Sequence, residues 1–300
     1  MYYEQLLKKY HWIIEEKQNT ILSSDSDGMI SGLLMSAFFD WNVVGYYDSE
    51  TLLLRENFSV KDCVFLDVEI FREYAKSIGH HIILFDVNSK PNDFINKTIN
   101  CINPNLLRGY DKKTKYTSKY PFGTLHLLLR IIKEFDPNLV RINDRGVPAL
   151  LFIDGVWNTF TKYHQNVLNW IKYLDMEGCI WWKKITSYSF IELKKELDDF
   201  ISKMRIINGN RKWYGHLNLN AFDANILFDF LDMCSEDLGW KFNKNHWKIH
   251  DLKKYRFNRH FINLNTQKDF DIFWNKNPFS MSTYYRNKIS YTIEEPDKLP

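Results

Sequence analysis

Thr20-Ile21-Leu22-Ser23-Ser24-Asp25-Ser26-Asp27-Gly28 is the stretch on which the fold turns. A short apolar run stops in a polar turn with two carboxylates, and residues 29–39 continue as an apolar helix. Strand, polar turn and helix in that order open an α/β unit. The pattern recurs. Val43-Val44-Gly45-Tyr46-Tyr47 reads as a strand, and Cys63-Val64-Phe65-Leu66 reads as another that ends at Asp67. Residues 70–78 read as a helix, and Ile82-Ile83-Leu84-Phe85 as a strand ending at Asp86. Residues 124–135 form an apolar helix, and Leu150-Leu151-Phe152-Ile153 is a strand ending at Asp154. Short apolar strands alternating with helices imply a parallel sheet buried on both faces, so the expected class is α/β.

Upstream, residues 2–17 carry apolar side chains at helical spacing. Residues 103–120 are a polar, lysine-rich loop, residues 190–206 one long helix, and Asn208-Gly209-Asn210 a turn. The texture changes beyond about residue 185. The expected organisation is a parallel-sheet domain over 1–185, a linker helix over 186–207 and a smaller α+β domain over 208–300 that binds substrate or partner.

The chain has 300 residues, 45% hydrophobic, with 40 Lys+Arg against 37 Asp+Glu and a net charge of +3. That excludes a disordered or polybasic protein, so nucleic-acid contact requires a local basic patch. No apolar run approaches the roughly 20 residues of a membrane span. The N-terminus is charged throughout, unlike a signal peptide, so the chain reads as cytoplasmic with no membrane partner. Cys63, Cys101, Cys179 and Cys234 are far apart and read as buried, reduced thiols.

The strand-end aspartates carry the chemistry. In a parallel sheet the C-terminal ends of the strands share one edge, where ligands bind. Asp25, Asp27, Asp67, Asp86 and Asp154 would meet there, and their mutual repulsion is relieved by hard divalent cations. Two such ions close together suit phosphoryl displacement. The competing reading of each aspartate is a turn former or helix N-cap.

These residues resemble the DHH phosphoesterases, especially RecJ-type single-strand exonucleases. Ser23 through Ser31 is similar to the first motif, and Phe65-Leu66-Asp67 to the second. Phe85-Asp86-Val87-Asn88 stands where Asp-His-His belongs, and Ile102-Asn103-Pro104-Asn105-Leu106 resembles the Asn-Pro-Asn that follows it. Tyr120-Pro121-Phe122-Gly123-Thr124 resembles the next block, and Ala149 through Asp154 the fourth motif, with Asn166 after it. The resemblance spans roughly residues 18–175. It implies a hydrolase using Mn²⁺ or Mg²⁺, two ions if active. Asp25, Asp27, Asp67, Asp86 and Asp154 would be the metal ligands, and Asp27, Asp67, Asp86 and Asn88 the catalytic groups.

Val87 and Asn88 replace both histidines of the third motif. His80 and His81 precede the expected strand at 82–85, so the simplest topology puts them at the opposite end of the sheet from Asp86. In a shifted register Gly79-His80-His81 becomes the third motif, with a gap after Asp67 that is short for a helix plus a strand. These histidines are the possible rescue ligands.

Arg108, Lys112 and Lys113 in the basic loop, and Arg141 and Arg145 before the fourth motif, are candidate phosphate contacts. Residues 240–261 interleave cations with Trp240, Phe242, Trp247, Tyr255 and Phe257, the mixture that single-strand binding uses. Lys253, Lys254 and Arg256 are its candidate substrate contacts. The family's Gly-Gly-Gly-His substrate motif is missing, with only Gly215-His216 as an echo. The expected function is a metal-dependent phosphodiesterase or nuclease acting on single-stranded nucleic acid or short oligonucleotides. The alternative is a degenerate scaffold that binds nucleic acid or a protein partner.

Overall fold

The computed structural model describes residues 2–207, 215–283, 285–293 and 299, and only the backbone of 114–116. The turn expected at 208–210 lies outside the described residues. In chain order the strands are β1 (Asn19–Ser23), β2 (Asn42–Tyr47), β3 (Thr51–Arg55), β4 (Cys63–Leu66), β5 (Lys76–Ile78), β6 (Cys101–Ile102), β7 (Leu252–Arg256), β8 (Asn258–Asn263), β9 (Pro278–Thr283) and β10 (Lys288–Ile293). The helices are α1 (Tyr3–Lys9), α2 (Ser26–Phe39), α3 (Phe94–Lys97), α4 (Pro104–Arg108), α5 (Lys112–Lys115), α6 (Thr124–Phe135), α7 (Val147–Phe152), α8 (Val156–Lys162), α9 (His164–Tyr173), α10 (Ile180–Ser187), α11 (Phe190–Ile207), α12 (Ala224–Leu238) and α13 (Gln267–Trp274). The class is α/β.

Two compact units interleave along the chain. A helical unit comprises residues 1–17, 24–41 and 121–246, and a sheet unit comprises 18–23, 42–120 and 247–300. Each therefore draws on chain from both sides of residues 186–207.

In the sheet unit a seven-stranded sheet has the order β6-β5-β4-β1-β2-β3-β7. The run from β6 to β2 is parallel, and β3 and β7 add to it antiparallel. Leu22 pairs with Leu66, and Leu66 with Ile78. The residues that follow these pairs, Ser23, Asp67 and Gly79, thus stand side by side at the C-terminal edge. A second sheet, β8-β10-β9, is antiparallel. Phe279 on β9 packs edge-on against Tyr47 and Phe65 at 5.9 and 6.5 Å and stacks on Phe257 at 5.4 Å. These rings close a core with Ile21, Val44, Leu52 and Leu54.

Two expectations fail in this unit. Residues 70–75 form no helix: Phe71 N–H donates to the Phe279 carbonyl at 2.8 Å, Ile70 bridges Ser280, and strand β5 follows. Residues 82–85 are not a strand of the sheet. Leu84 makes one isolated bridge to Asp111, while Ile82 and Leu84 bury into a cluster with Phe71, Phe94, Phe270, Trp274 and Tyr291. That run is apolar because it fills a core, not because it pairs.

In the helical unit, α1 ends at Lys9 and a 3-10 turn, His11–Ile14, follows, so the helix expected over 2–17 is broken at Tyr10. Residues 150–153 are likewise no strand. They belong to α7, with Pro148 in its first turn, and to the kink after it. Asp154 (φ 49°) and Gly155 (φ 62°) adopt the left-handed conformation there. The long helix is observed as α11, burying Leu193, Leu197, Phe200 and Met204 at helical spacing. No described helix is long and apolar enough to cross a membrane.

Candidate metal centre

Asp67 is the first residue past β4. Its N–H donates to the Ile78 carbonyl at 2.8 Å, and its φ of 62° turns the chain sharply. An aspartate tolerates that conformation better than most residues, and such strain collects at functional sites. The carboxylate is 1% exposed and accepts the Ser23 hydroxyl at 2.8 Å through Oδ2. Its other oxygen faces two imidazoles, with His80 Nε2 at 3.6 Å and His81 Nε2 at 3.9 Å from Oδ1. These distances are long for hydrogen bonds. They approach the roughly 3–3.5 Å between neighbouring donors that share one ion at bond lengths near 2.1 Å. Asp67, His80 and His81 each offer a donor atom, all within 4.8 Å of one another.

The histidines reach Asp67 because β5 is the strand that precedes them. It ends at Ile78, parallel to β4, so Gly79-His80-His81 leaves the sheet at the same edge as Asp67. The placement at the opposite end of the sheet is thereby corrected: the strand that precedes the histidines is β5, and it ends at the edge where Asp67 leaves β4. The short gap after Asp67 suffices because no helix intervenes.

Glu69, which the sequence reading passed over, holds the pair in place. It is 1% exposed; Oε2 lies 3.2 Å from His81 Nδ1, and Oε1 accepts the His81 N–H at 2.9 Å and the Asn103 amide at 2.5 Å. Burial works against ionising this carboxyl. The hydrogen bonds and charge of His81, the charge of His80 and the Asn103 amide outweigh it and hold Glu69 below the usual glutamate range. A carboxylate on Nδ1 that leaves Nε2 facing inward is the usual support of a metal-ligating histidine. Gly79 leaves room for this carboxylate, since a Cβ would sit 2.7 Å from the Glu69 carboxyl carbon.

Asn103 and Asn105 complete the frame. Asn103 caps α4, accepting the Leu106 N–H at 3.1 Å. Asn105 donates to the His80 and Ile82 carbonyls at 3.0 and 3.3 Å and accepts the Tyr120 N–H at 2.7 Å. The Tyr120 ring lies 5.8 Å from that of His80. The Asn-Pro-Asn stretch is thus the clamp on the His80-His81 backbone.

Asp86 and Asn88 are not among the grouped donors. They form a turn in which Asp86 accepts Lys113 Nζ at 2.7 Å and the Asn88 N–H at 2.9 Å, while Asp111 accepts the Val87 N–H at 2.9 Å. The Lys113 hydrogen bond, with that of Asn88, lowers the Asp86 pKa. Lys112 is buried, whereas Lys113 is exposed.

Asp25, Asp27, Asp154, Arg141 and Arg145 belong to the helical unit. Asp25 caps α2, accepting the Gly28 N–H at 3.1 Å. Asp27, fully buried, accepts the Thr124 and Leu125 N–H groups at 2.5 and 3.0 Å, placing its charge at the positive end of α6. Gly123 leaves room for it, since a Cβ would lie 2.8 Å from Asp27 Oδ2. Asp154 is exposed at the kink between α7 and α8, not at a strand end. Arg141 and Arg145 are exposed, and Arg145 donates to the Glu236 carbonyl at 3.5 Å.

Lys253, Lys254 and Arg256 are exposed on β7, Lys253 lying 2.6 Å from Glu56. The aromatics interleaved with them turn inward. Trp240 and Trp247 are each 3% exposed, and Phe257 stacks on Phe279.

No protein-family model, curated protein or solved structure matches this chain.

Proposed function

We propose that the protein is a divalent-metal-dependent phosphodiesterase of the DHH type, acting on single-stranded nucleic acid or short oligonucleotides. The observation that carries this reading is the buried Asp67–His80–His81 group with Glu69 behind His81. A buried carboxylate facing two imidazoles at more than hydrogen-bond distance fits an ion between them. Two nitrogen donors favour Mn²⁺ over Mg²⁺. Such an ion supplies Lewis-acid activation of water and of a phosphoryl oxygen.

On this reading Gly79-His80-His81 is the third motif, with glycine where the family has aspartate and Glu69 supplying the missing carboxylate. The objection raised by Val87 and Asn88 then falls away. Asp67 would neutralise the ion, His80 and His81 would hold and orient it, and Glu69 fixes the ring of His81. Asp27 is four residues beyond Ser23, whose hydroxyl holds Asp67. Asp25, Asp27 and Asp154 are assigned as further acidic ligands on motif order alone. The parallel sheet would be the DHH-type part, with residues 208–300 as the part that meets substrate, their exposed cations on β7 suiting a polyanion.

The test is hydrolysis of labelled single strands, short oligonucleotides and cyclic dinucleotides with Mn²⁺. Wild-type protein cleaves at least one of them, and Asp67→Asn and His80→Ala abolish cleavage. If nothing is cleaved, or if the variants match wild type, the phosphodiesterase assignment fails. Mn²⁺ binding without turnover would favour the binding scaffold.

A further inference from the structure

Lys112 is the one buried lysine amine among the described residues that finds no hydrogen-bond acceptor. The residue is 7% exposed, yet its backbone N–H donates to the Leu84 carbonyl at 2.9 Å, so the chain is anchored with the amine inside. Neighbouring carboxylates are engaged elsewhere: Asp111 accepts the Val87 N–H, and Asp86 accepts Lys113. The neighbour that acts on Lys112 is another cation, Lys119. Burial and then that like charge bring the amine down to about 8, which still leaves it mostly protonated at neutral pH. A buried ammonium beside a second cation, with no acceptor, is a costly arrangement that a bound anion resolves.

We infer that Lys112 and Lys119 form an anion subsite that takes a phosphate group of the substrate. Lys119 directly precedes Tyr120, whose ring lies 5.8 Å from that of His80, and Lys112, Lys119 and the histidine pair belong to the same unit. Lys113, tied to Asp86 at the surface, is not part of it. The inference rests on the phosphodiester reading for its ligand class, but the anion contact itself needs no metal.

The experiment is calorimetric titration of the full-length protein with inorganic pyrophosphate in EDTA, where no divalent ion contributes. Wild type binds, Lys112→Gln weakens binding roughly tenfold or more, as expected for a lost charge-assisted hydrogen bond, and Lys113→Gln, whose amine is tied to Asp86, binds like wild type. As a second readout on unmutated protein, pyrophosphate protects Lys112 from amine acetylation, measured by peptide mass spectrometry. Absence of wild-type binding, equal binding by Lys112→Gln or acetylation unaffected by pyrophosphate overturns the subsite. If pyrophosphate binds through Lys112 but Mn²⁺ supports no cleavage, the subsite stands and the phosphodiesterase reading falls. If cleavage occurs and Lys112→Gln leaves KM unchanged, the subsite falls alone.

Discussion

A single carboxylate decides whether the histidine pair is organised. Glu69 meets both the ring and the N–H of His81 and also accepts the Asn103 amide. Glu69→Gln is expected to weaken Mn²⁺ binding by about 10–100-fold, the usual effect of removing the carboxylate behind a histidine ligand. Calorimetry with Mn²⁺ reads this directly, and unchanged affinity would remove Glu69 from the site. Lys112 makes the opposite kind of prediction, because its isolated charge opposes folding. The unfolded amine keeps its proton up to about 10.5, whereas the folded amine releases it near 8. Between those values the unfolded chain holds more protons, so this site's contribution to stability rises with pH and is least favourable below 8. In anion-free buffer Lys112→Met therefore raises Tm at pH 7, by up to ~3 kcal/mol of stability, and the advantage shrinks towards pH 10. Thermal melts across that range check the sign. Asp67 and Lys112 could both be picked out from sequence, one after an apolar run and one in a basic loop. Glu69 could not, although an acid two residues past Asp67 was a visible signal, because its role depends on a glycine ten residues away.

Strand β5 is the element on which the site depends, and its three residues, Lys76-Ser77-Ile78, carry almost no strand signal. The much stronger apolar run at 82–85 misled the reading because buried core filler and buried strand have the same composition. The same confusion made residues 150–153 a strand, where Pro148 at the start of a helix was the missed cue. By contrast α6 and α11 were legible from helical spacing, α2 from the length of its apolar run, and β1, β2 and β4 as short apolar runs between polar breaks. The end of β5 allows a sharp test. In Gly79→Ala the new methyl meets the Glu69 carboxylate at under 3 Å, so the chain shifts or Glu69 swings away from His81. A loss of about 1–3 kcal/mol, as for other overpacked positions, should appear in denaturant melts together with weaker Mn²⁺ binding. Wild-type stability would contradict the packing. Strand β7 makes a different prediction. Its exposed Lys254 and Arg256 lie on an edge strand whose backbone pairing with β3 does not need their charges. Lys254→Glu with Arg256→Glu should leave Tm unchanged while weakening single-strand binding. The salt dependence of that binding should become shallower by about 0.7 per lost phosphate contact. Unchanged affinity would take β7 out of the proposed single-strand contact.

Neither unit is a continuous piece of chain. The sheet unit takes β1 from one stretch, β2 to β6 from a second, and β7 to β10 with α13 from a third. The composition change near residue 185 invites a cut that this weaving forbids. A fragment of residues 1–185 would leave Tyr47 and Phe65 without Phe279. Phe71 and Phe94 would be left without Trp274, whose ring lies 4.9 and 5.0 Å from theirs. It would also lack α11 and α12, with the buried Leu197, Phe200, Leu227 and Phe230. Aromatic side chains of this size each contribute about 3–5 kcal/mol when fully packed, and a domain's whole stability is only about 5–15 kcal/mol. The fragment is therefore expected to lack near-ultraviolet circular dichroism and to bind a hydrophobic dye, as a collapsed chain without fixed packing does. The full chain should show neither defect. A fragment with sharp near-ultraviolet bands and a cooperative melt would mean that the first 185 residues close their own core, and the interleaved division would be wrong.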